Sequence, residues 1–268
     1  MRVLCILFFA HGRLPVVAFV RVRPLCLPCA PGLWCQMSVF ALSPDPLLFP
    51  QPHWAEPDGL LAVGGDLTPQ RLVAAYHQGI FPWYNEDSPI LWWSPDPRCV
   101  LLPRNLHVPR SLERTLRRGT FHFTFDHDFA GVIRQCAAQR EASGTWLLPQ
   151  MQEAYCALHG LGFAHSVEAW HQGRLVGGLY GVSLGRAFFG ESMFYHMPEA
   201  SKTCVVFLAR ALAGAGFTLL DCQQTTAHMV RFGAQEMPRK QFLHLLTQAL
   251  EAPTPLQSWK DGIPHEHA

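Results

Sequence analysis

The chain has 268 residues, 49% of them hydrophobic and 15% charged, which is enough apolar material for one large or two smaller packed domains. Its formal net charge is +1, but four of the 21 basic residues and none of the acidic residues lie in the first 36 positions. The remainder is slightly acidic, so a global basic field is excluded as an argument for a nucleic-acid partner. The nine cysteines are scattered, which does not suit a disulfide framework and suits a reduced cytosolic protein.

Residues 1–36 differ in composition from the rest of the chain. The apolar run Val3 to Ala10 is too short to span a bilayer, and although it imitates a signal peptide, no small-residue cleavage site follows it. We expect a mis-assigned start or a disordered leader, with Met37 as the functional first residue; a targeting segment is the alternative. Cys26 and Cys29 have the spacing of a zinc half-site but lack a second pair.

The stretch 37–97 is expected to form a small N-terminal domain. Thr68 as N-cap and Pro69 at the first helical position predict a helix, which Gly79 ends. The aromatic residues that follow are flanked by prolines, which keeps them out of regular helices. Trp83 and its neighbours are therefore either core side chains or exposed stacking surfaces.

A basic helix follows a strand predicted at 99–102. The predicted helix 111–118 places four arginines on one face, opposed by a single acidic residue: Arg110, Arg114, Arg117 and Arg118. Such a face is either simply solvated or binds phosphates, and its position in an otherwise acidic body favours phosphate binding.

Alternating and helical patterns then predict the rest of an α+β fold. They indicate a strand near residues 121–125, two helices, a three-strand meander over 166–194, a helix at 201–213, a short strand at 218–222 and a last helix at 240–250. This order resembles the GCN5-related N-acetyltransferase fold, with a central, largely antiparallel sheet in a catalytic domain spanning 98–262. The loop 197–202, where that family binds coenzyme A, has no glycine and cannot approach a pyrophosphate closely.

Two of the predicted strands end in strongly polar residues. Glu191 follows an apolar run, and Asp221 and Gln223 end the short buried strand. An unpaired buried carboxylate is costly, so each must find a partner or face a cleft. Two such strands lying side by side would form one polar pocket in an apolar wall.

Seven motifs together resemble the leucyl/phenylalanyl-tRNA–protein transferase family. In chain order they are GLLAVGGDL (59–67), GIFPW (79–83), WWSPDPR (92–98), GTW (144–146), GESMF (190–194), SKT (201–203) and LDCQ (220–223). The resemblance runs from about Met37 to about Leu250. It implies transfer of Leu or Phe, with Met left open, from aminoacyl-tRNA to the N-terminal Arg or Lys of a protein. The product carries a degradation signal, and the resemblance implies a cytoplasmic monomer with no cofactor, metal or membrane.

The resemblance also implies roles for individual residues. Asp221 and Gln223 would be the catalytic pair that orients and deprotonates the attacking amine, with Glu191 as a further carboxylate at the site. Trp83 and Trp146 would stack on the 3′-terminal adenosine, and the four arginines would bind tRNA phosphates. The aminoacyl side-chain pocket would be lined by Leu179, Phe188, Met193, Leu208 and Leu220.

Two other functions stay open at this point. One is an acyl-CoA N-acetyltransferase, which the glycine-free loop 197–202 disfavours. The other is a tRNA-binding module without catalysis, which the presence of Asp221 and Gln223 disfavours. Charged tRNA, acetyl-CoA and an Arg-initiated peptide would separate the three.

Overall fold

Two β-sheets organise the computed structural model, which describes residues 20–22, 39–43, 47–139, 147–254 and 259. The strands are β1 Val20–Val22, β2 Val39–Leu42, β3 Leu60–Gly64, β4 Phe81–Pro82, β5 Leu91–Trp93, β6 Arg98–Leu101, β7 His122–Phe125, β8 Ala164–His171, β9 Arg174–Leu184, β10 Ala187–Tyr195, β11 Leu219–Gln223 and β12 Gln235–Met237. The α-helices are α1 Pro69–Tyr76, α2 Arg110–Arg117, α3 Phe129–Ala138, α4 Pro149–Gly160, α5 Ala200–Gly214, α6 Ala227–Arg231 and α7 Arg239–Glu251.

The larger sheet has seven strands in the order β12-β6-β11-β10-β9-β8-β7. Its strands β7 to β10 form an antiparallel meander, and α5 then crosses over so that β11 returns parallel to β10. The sheet is therefore largely antiparallel with one parallel pair, which confirms an α+β class with mixed pairing. The connection from β9 to β10 is a short turn, whereas β10 and β11 are joined through α5, because parallel strands need a crossover connection.

The smaller sheet has the order β1-β2-β3-β5-β4 and shares a core with one face of the larger sheet. Phe40 and Trp92 of the small sheet belong to the same buried cluster as Phe189 of β10 and Phe242 of α7. A second cluster lies between the other face and helices α2 and α5. Strands β1 to β5 thus form a second sheet that packs on the same core as the larger one.

The start of α1 predicted from the sequence is confirmed, and α3 begins in the same way. The Thr68 hydroxyl accepts a hydrogen bond from the backbone N–H of Arg71, with Pro69 at the first helical position. Asp128 caps α3 through the N–H of Gly131. Gly79 follows α1 at φ +67°, and a Cβ there would lie 2.6 Å from the ring of Phe242, so both conformation and space require glycine.

The strands β1 to β5, helix α6 and strand β12 were not predicted from the sequence. Helix α6 and strand β12 follow β11, and β12 pairs with β6 at the sheet edge. Val20–Val22, inside the presumed leader, pairs antiparallel with β2. The zinc half-site and Met37 lie outside the described residues. Within the described ranges, no helix is both long and apolar enough to cross a membrane.

Candidate active site

Two adjacent β-bulges create the site where β10 and β11 stop pairing. The last register pair between these strands is Phe189 with Asp221. Immediately beyond it, β10 bulges at Glu191 and β11 bulges at Cys222. A bulge inserts one residue and turns the following side chains, so these bulges redirect two polar side chains toward each other. Gln223 completes the turn with φ +61°, a left-handed conformation that is uncommon for a non-glycine residue.

Glu191 is the centre of the resulting hydrogen-bond network. The Gln223 side-chain Nε2 donates to Glu191 Oε1 at 2.7 Å, and the Tyr155 hydroxyl donates to Oε2 at 2.9 Å. The hydroxyls of Tyr155 and Tyr76 lie 2.6 Å apart. Burial, helped by the nearby charge of Asp221, raises the pKa of Glu191 to about 7 against these opposing hydrogen bonds. Burial also raises the pKa of both tyrosines, so they remain neutral donors.

Asp221 is fully buried and forms an ion pair with Arg98. Arg98 Nε donates to Asp221 Oδ1 at 2.8 Å, and Nη2 donates to Oδ2 at 2.6 Å. The backbone N–H of Gln223 donates to the same Oδ1 at 2.9 Å. Both oxygens of this carboxylate therefore bind Arg98. Of the three predicted catalytic residues, Glu191 and Gln223 line both pockets and form no such ion pair with any arginine that the structure describes.

An apolar pocket of about 170 Å³ opens on one side of Glu191 and Gln223. Its lining is Leu179, Tyr180, Gly190, Glu191, Ser192, Met193, Val205, Leu208, Leu220, Asp221, Cys222, Gln223, Thr226 and Met229. Four of the five predicted pocket residues are in this set. The fifth, Phe188, is not: it is fully buried and its ring packs on Gly181 and Trp259. Phe188 is thus a core residue beneath the pocket.

A second pocket, of about 180 Å³, opens on the other side and is aromatic. It is lined by Phe81, Pro82, Trp83, Glu191, Cys222, Gln223, Gln224 and Thr226. The Trp83 side chain is 38% exposed, and its ring centroid lies 5.9 Å from that of Trp93. The indole N–H of Trp93 donates to the Trp83 carbonyl at 2.6 Å, which fixes the exposed ring's strand. Glu191 and Gln223 line both pockets, and we call the place where they stand the junction.

The four predicted arginines are all exposed on or beside α2. Glu113 lies 3.8 Å from Arg117 and accepts a hydrogen bond from Arg210 at 2.8 Å. Arg110, Arg114 and Arg118 form no ion pair among the residues that the structure describes. The surface therefore presents free guanidinium groups. Trp146 lies outside the described residues.

A separate cluster joins Asp126, His159 and His165, which no spacing pattern in the sequence indicates. His165 Nδ1 lies 2.8 Å from Asp126 Oδ2, while His159 Nδ1 lies 2.8 Å from the carbonyl of Ala164. Two ligands of one zinc ion, each about 2.0–2.2 Å from it in tetrahedral geometry, would stand farther apart than this. The contacts are therefore those of hydrogen bonds.

Sequence reasoning missed four residues that shape the site. Tyr76 and Tyr155 read only as members of apolar helical stripes, although a tyrosine in such a stripe carries a hydroxyl that needs a partner. Arg98 is the last residue of the motif WWSPDPR, and no role was predicted for it from the sequence. Ser192, whose buried hydroxyl has no hydrogen-bond partner among the described residues, lies beside Glu191 in the pocket lining. The signal was present in the sequence, but only the fold showed which groups meet.

A buried carboxylate with a raised pKa, placed where two pockets meet, is typical of an enzyme active site. A family profile described as "Leucyl/phenylalanyl-tRNA protein transferase" matches residues 100–247, and its N-terminal domain profile matches residues 65–96. The chain belongs to the leucyl/phenylalanyl-tRNA–protein transferase family.

Relatives that bear this name are similar over nearly their whole length. The protein of Nitratidesulfovibrio vulgaris (strain DP4) is 58% identical over 226 residues, which are 84% of this chain and 97% of the relative. That of Magnetococcus marinus is 54% identical over 233 residues, 85% and 99% of the two chains. Solved structures are only distantly similar. The C-terminal domain of a putative lysylphosphatidylglycerol synthetase from Agrobacterium fabrum covers 74% of each chain at 9% identity with a TM-score of 0.41.

Proposed function

We propose that this protein transfers leucine or phenylalanine from aminoacyl-tRNA to the N-terminal Arg or Lys of an acceptor protein. The observation that carries the proposal is the junction, where Glu191 and Gln223 separate an apolar pocket from an aromatic one. An aminoacyl-tRNA end has the same two parts, an apolar side chain and an adenosine, joined by the reactive ester. The family membership supports the same assignment.

The aromatic pocket suits the 3′-terminal adenosine. Trp83 is exposed while its backbone carbonyl is held by Trp93, so its ring offers a stacking face. Single-stranded RNA ends are commonly bound by stacking of unpaired bases on aromatic rings. We assign Trp146 to the same adenosine on the family resemblance alone.

The apolar pocket suits the donor side chain. Leu179, Met193, Leu208 and Leu220 supply its walls, and none of them can hydrogen-bond a polar guest. An unbranched or γ-branched apolar side chain fits, whereas branching at Cβ would place a methyl group at the mouth beside the reacting carbonyl. The pocket therefore selects leucine, phenylalanine and the flexible side chain of methionine by shape.

The chemistry at the junction is aminolysis of an ester. The acceptor α-amine attacks the aminoacyl carbonyl, the C–N bond forms, and the ester C–O bond to the terminal ribose breaks. Glu191 accepts the proton that the amine loses, because its pKa of about 7 is close to that of an α-amine. Gln223 gives its amide N–H to Glu191, so its side-chain oxygen remains to accept a hydrogen bond from the amine. The ribose oxygen leaves as a hydroxyl by taking up the proton that Glu191 received from the amine, which restores the carboxylate.

The exposed arginines on α2 suit the phosphates of the tRNA. Arg110, Arg114 and Arg118 have no acidic partner in the described part of the chain, and guanidinium groups bind phosphate oxygens bidentately. Such contacts attach the donor without reading the amino acid it carries. Amino-acid selection then falls to the apolar pocket.

The catalytic unit is best described as GCN5-related N-acetyltransferase-like. The meander, the crossover helix α5 and the parallel strand β11 follow that order, and the site lies where β10 and β11 separate. No glycine occurs between Met197 and Lys202 to admit a pyrophosphate, which favours an adenosine-ended donor over coenzyme A. A tRNA donor also implies work in the cytoplasm, and a site built from one chain is compatible with a monomer.

Direct transfer assays test the proposal. Leu-tRNA, Phe-tRNA or acetyl-CoA is incubated with the protein and a peptide that begins with arginine, and mass spectrometry identifies the product. We expect addition of one Leu or Phe residue at the N-terminus and no acetylation. The same peptide with a blocked α-amine is the matched control and should remain unmodified. Acetylation, or binding of charged tRNA without transfer, would establish one of the two alternative functions.

A further inference from the structure

Arg98 occupies a closed chamber behind the junction. Its side chain is 1% exposed, and its guanidinium carbon lies 4.9 Å from the ring centroid of Phe81 and 4.5 Å from that of Phe242. The edge of the guanidinium donates two hydrogen bonds to Asp221. Two aromatic faces and a bidentate carboxylate fix a planar cation in one orientation.

Asp221 passes this constraint to Gln223. Both carboxylate oxygens bind Arg98, and Oδ1 also accepts the backbone N–H of Gln223. That N–H belongs to a residue at φ +61°, a conformation that persists only when its surroundings enforce it. The Gln223 side chain then reaches Glu191 at 2.7 Å. A continuous series of contacts therefore runs from Arg98 to the group that accepts the proton.

The same cation contacts the strand that carries the adenosine platform. Phe81 belongs to β4 and lies two residues before Trp83, and it lines the aromatic pocket together with it. Displacing the guanidinium would therefore disturb both the donor side and the catalytic side of the junction.

We propose that Arg98 is a positioning residue that holds Gln223 through Asp221 and couples it to the Trp83 strand through Phe81. The inference rests on the proposed function for its kinetic consequences. Asp221 is in this view also a positioning residue, because both of its carboxylate oxygens already bind Arg98. Glu191 and Gln223 remain the residues that touch the reacting atoms.

The charges around Glu191 give the proposal a readout that a purely structural role would not move. Asp221 and Gln223 of β11, Tyr76 of α1 and Tyr155 of α4 are the polar groups that face Glu191. The charge of Asp221 raises the pKa of Glu191, and Arg98 offsets that charge. Removing the charge of Arg98 should therefore raise the pKa of Glu191, and removing the charge of Asp221 should lower it. The pH dependence of transfer should shift accordingly.

Three variants test this: Arg98→Lys, Arg98→Met and Asp221→Asn, with exposed Arg186→Met as the matched control. Kinetics at saturating donor and acceptor are followed between pH 5.5 and 9. We expect Arg98→Lys to lower kcat about 10²-fold through misplacement of Gln223 with KM little changed. The acid limb of kcat should move to higher pH in Arg98→Met and to lower pH in Asp221→Asn. If Asp221 were instead the proton acceptor, Asp221→Asn would abolish the limb together with activity, which would overturn the proposal.

Hydrogen exchange supplies a measurement that does not depend on transfer activity. Peptides covering Leu219–Gln223 and Phe81–Trp83 should both exchange faster in Arg98→Lys and in Asp221→Asn than in the parent and in Arg186→Met. Acceleration in neither peptide, or in β11 alone, would overturn the coupling. Failure of the parent protein to transfer any amino acid would instead refute the proposed function, and the exchange result would still decide the positioning role. If Arg98→Met does not fold, the two conservative variants carry the test.

Discussion

The junction and the arginine face of α2 hold their polar groups in opposite ways. At the junction, the polar groups bind one another at hydrogen-bond distance in a single connected series: Arg98, Asp221, Gln223, Glu191 and Tyr155. On α2, the arginines are exposed and mostly unpaired, so each guanidinium can adapt to a phosphate. Buried networks lose much when one member is removed, whereas exposed charges act additively and weakly. Under the proposed function, catalysis therefore depends on a few residues and tRNA attachment on many.

The largest effect is expected at the proton acceptor. Glu191→Gln keeps the size of the side chain but cannot accept the amine proton, so kcat should fall about 10²- to 10⁴-fold. Donor binding should persist, since neither pocket loses its walls. Single-turnover transfer measures the chemical step, and exposed Glu251→Gln is the control. Unchanged kcat in Glu191→Gln would show that another group accepts the proton. The difference drawn between the junction and α2 would then be wrong.

The pH dependence should follow the same carboxylate. The pKa of Glu191 is raised by burial to about 7, so the carboxylate that accepts a proton exists only above that pH. Log kcat should therefore rise with pH and level off above about 7, with a slope near one below it. Two acceptor peptides whose α-amines differ in pKa separate the enzyme from the substrate. A limb that moves with the acceptor, and not with the enzyme variant, would contradict the assignment.

The apolar pocket should discriminate by shape. Leu-tRNA and Phe-tRNA should be preferred over Ile-tRNA and Val-tRNA by roughly 1–3 kcal/mol or more, because Cβ branching crowds the reacting carbonyl. Met193→Ala, in the pocket wall, should change the ratio of Phe to Leu transfer. Phe188→Ala is a matched control from the core beneath: it should lower the free energy of unfolding by about 3–5 kcal/mol and leave that ratio alone. Equal transfer of Ile and Leu by the parent protein would leave specificity to the tRNA.

On α2 the expected effect is smaller and graded. Neutralising Arg114 and Arg117 together should weaken binding of any charged tRNA alike. The slope of log affinity against log salt should become shallower by about 0.7–0.9 for each lost phosphate contact. Exposed Lys240→Gln on α7 should leave the slope unchanged. A slope unaffected by the double substitution would show that these arginines are merely solvated.

The smallest effect is expected at the start of the chain. A protein that begins at Met37 should fold and transfer amino acids at the same rate. Its loss of Val20–Val22 uncovers one edge of β2, so a slight fall in the unfolding temperature is expected. Loss of activity on truncation would show that residues 1–36 belong to the functional protein.

Sequence patterns predicted the elements whose signals are local. The meander, α5 and α7 follow from their periods, and the N-caps of α1 and α3 follow from side-chain chemistry. The polar ends of β10 and β11 located the site because those strands are otherwise apolar. These signals lie within a few residues of what they predict.

The remaining features depend on distant partners. Arg98 and Asp221 are 123 positions apart, and nothing local in either strand indicates that they pair. The bulges at Glu191 and Cys222 depend on which strand lies alongside. Phe188 and Phe189 face opposite sides of one strand, and only the packing decides which side holds the pocket. Asp221 accordingly reads as a catalytic candidate in the sequence, and only the fold shows that its carboxylate pairs with Arg98.

The ring of Phe242 joins the surroundings of Arg98 late in synthesis of the chain. It covers the guanidinium of Arg98 and contacts the turn at Gly79, yet it lies on the last helix of the fold. Strands β10 and β11, which line the pockets, are therefore synthesised before Phe242, which covers Arg98 behind them. Until α7 has been synthesised, the guanidinium of Arg98 has the ring of Phe81 but not that of Phe242 against it.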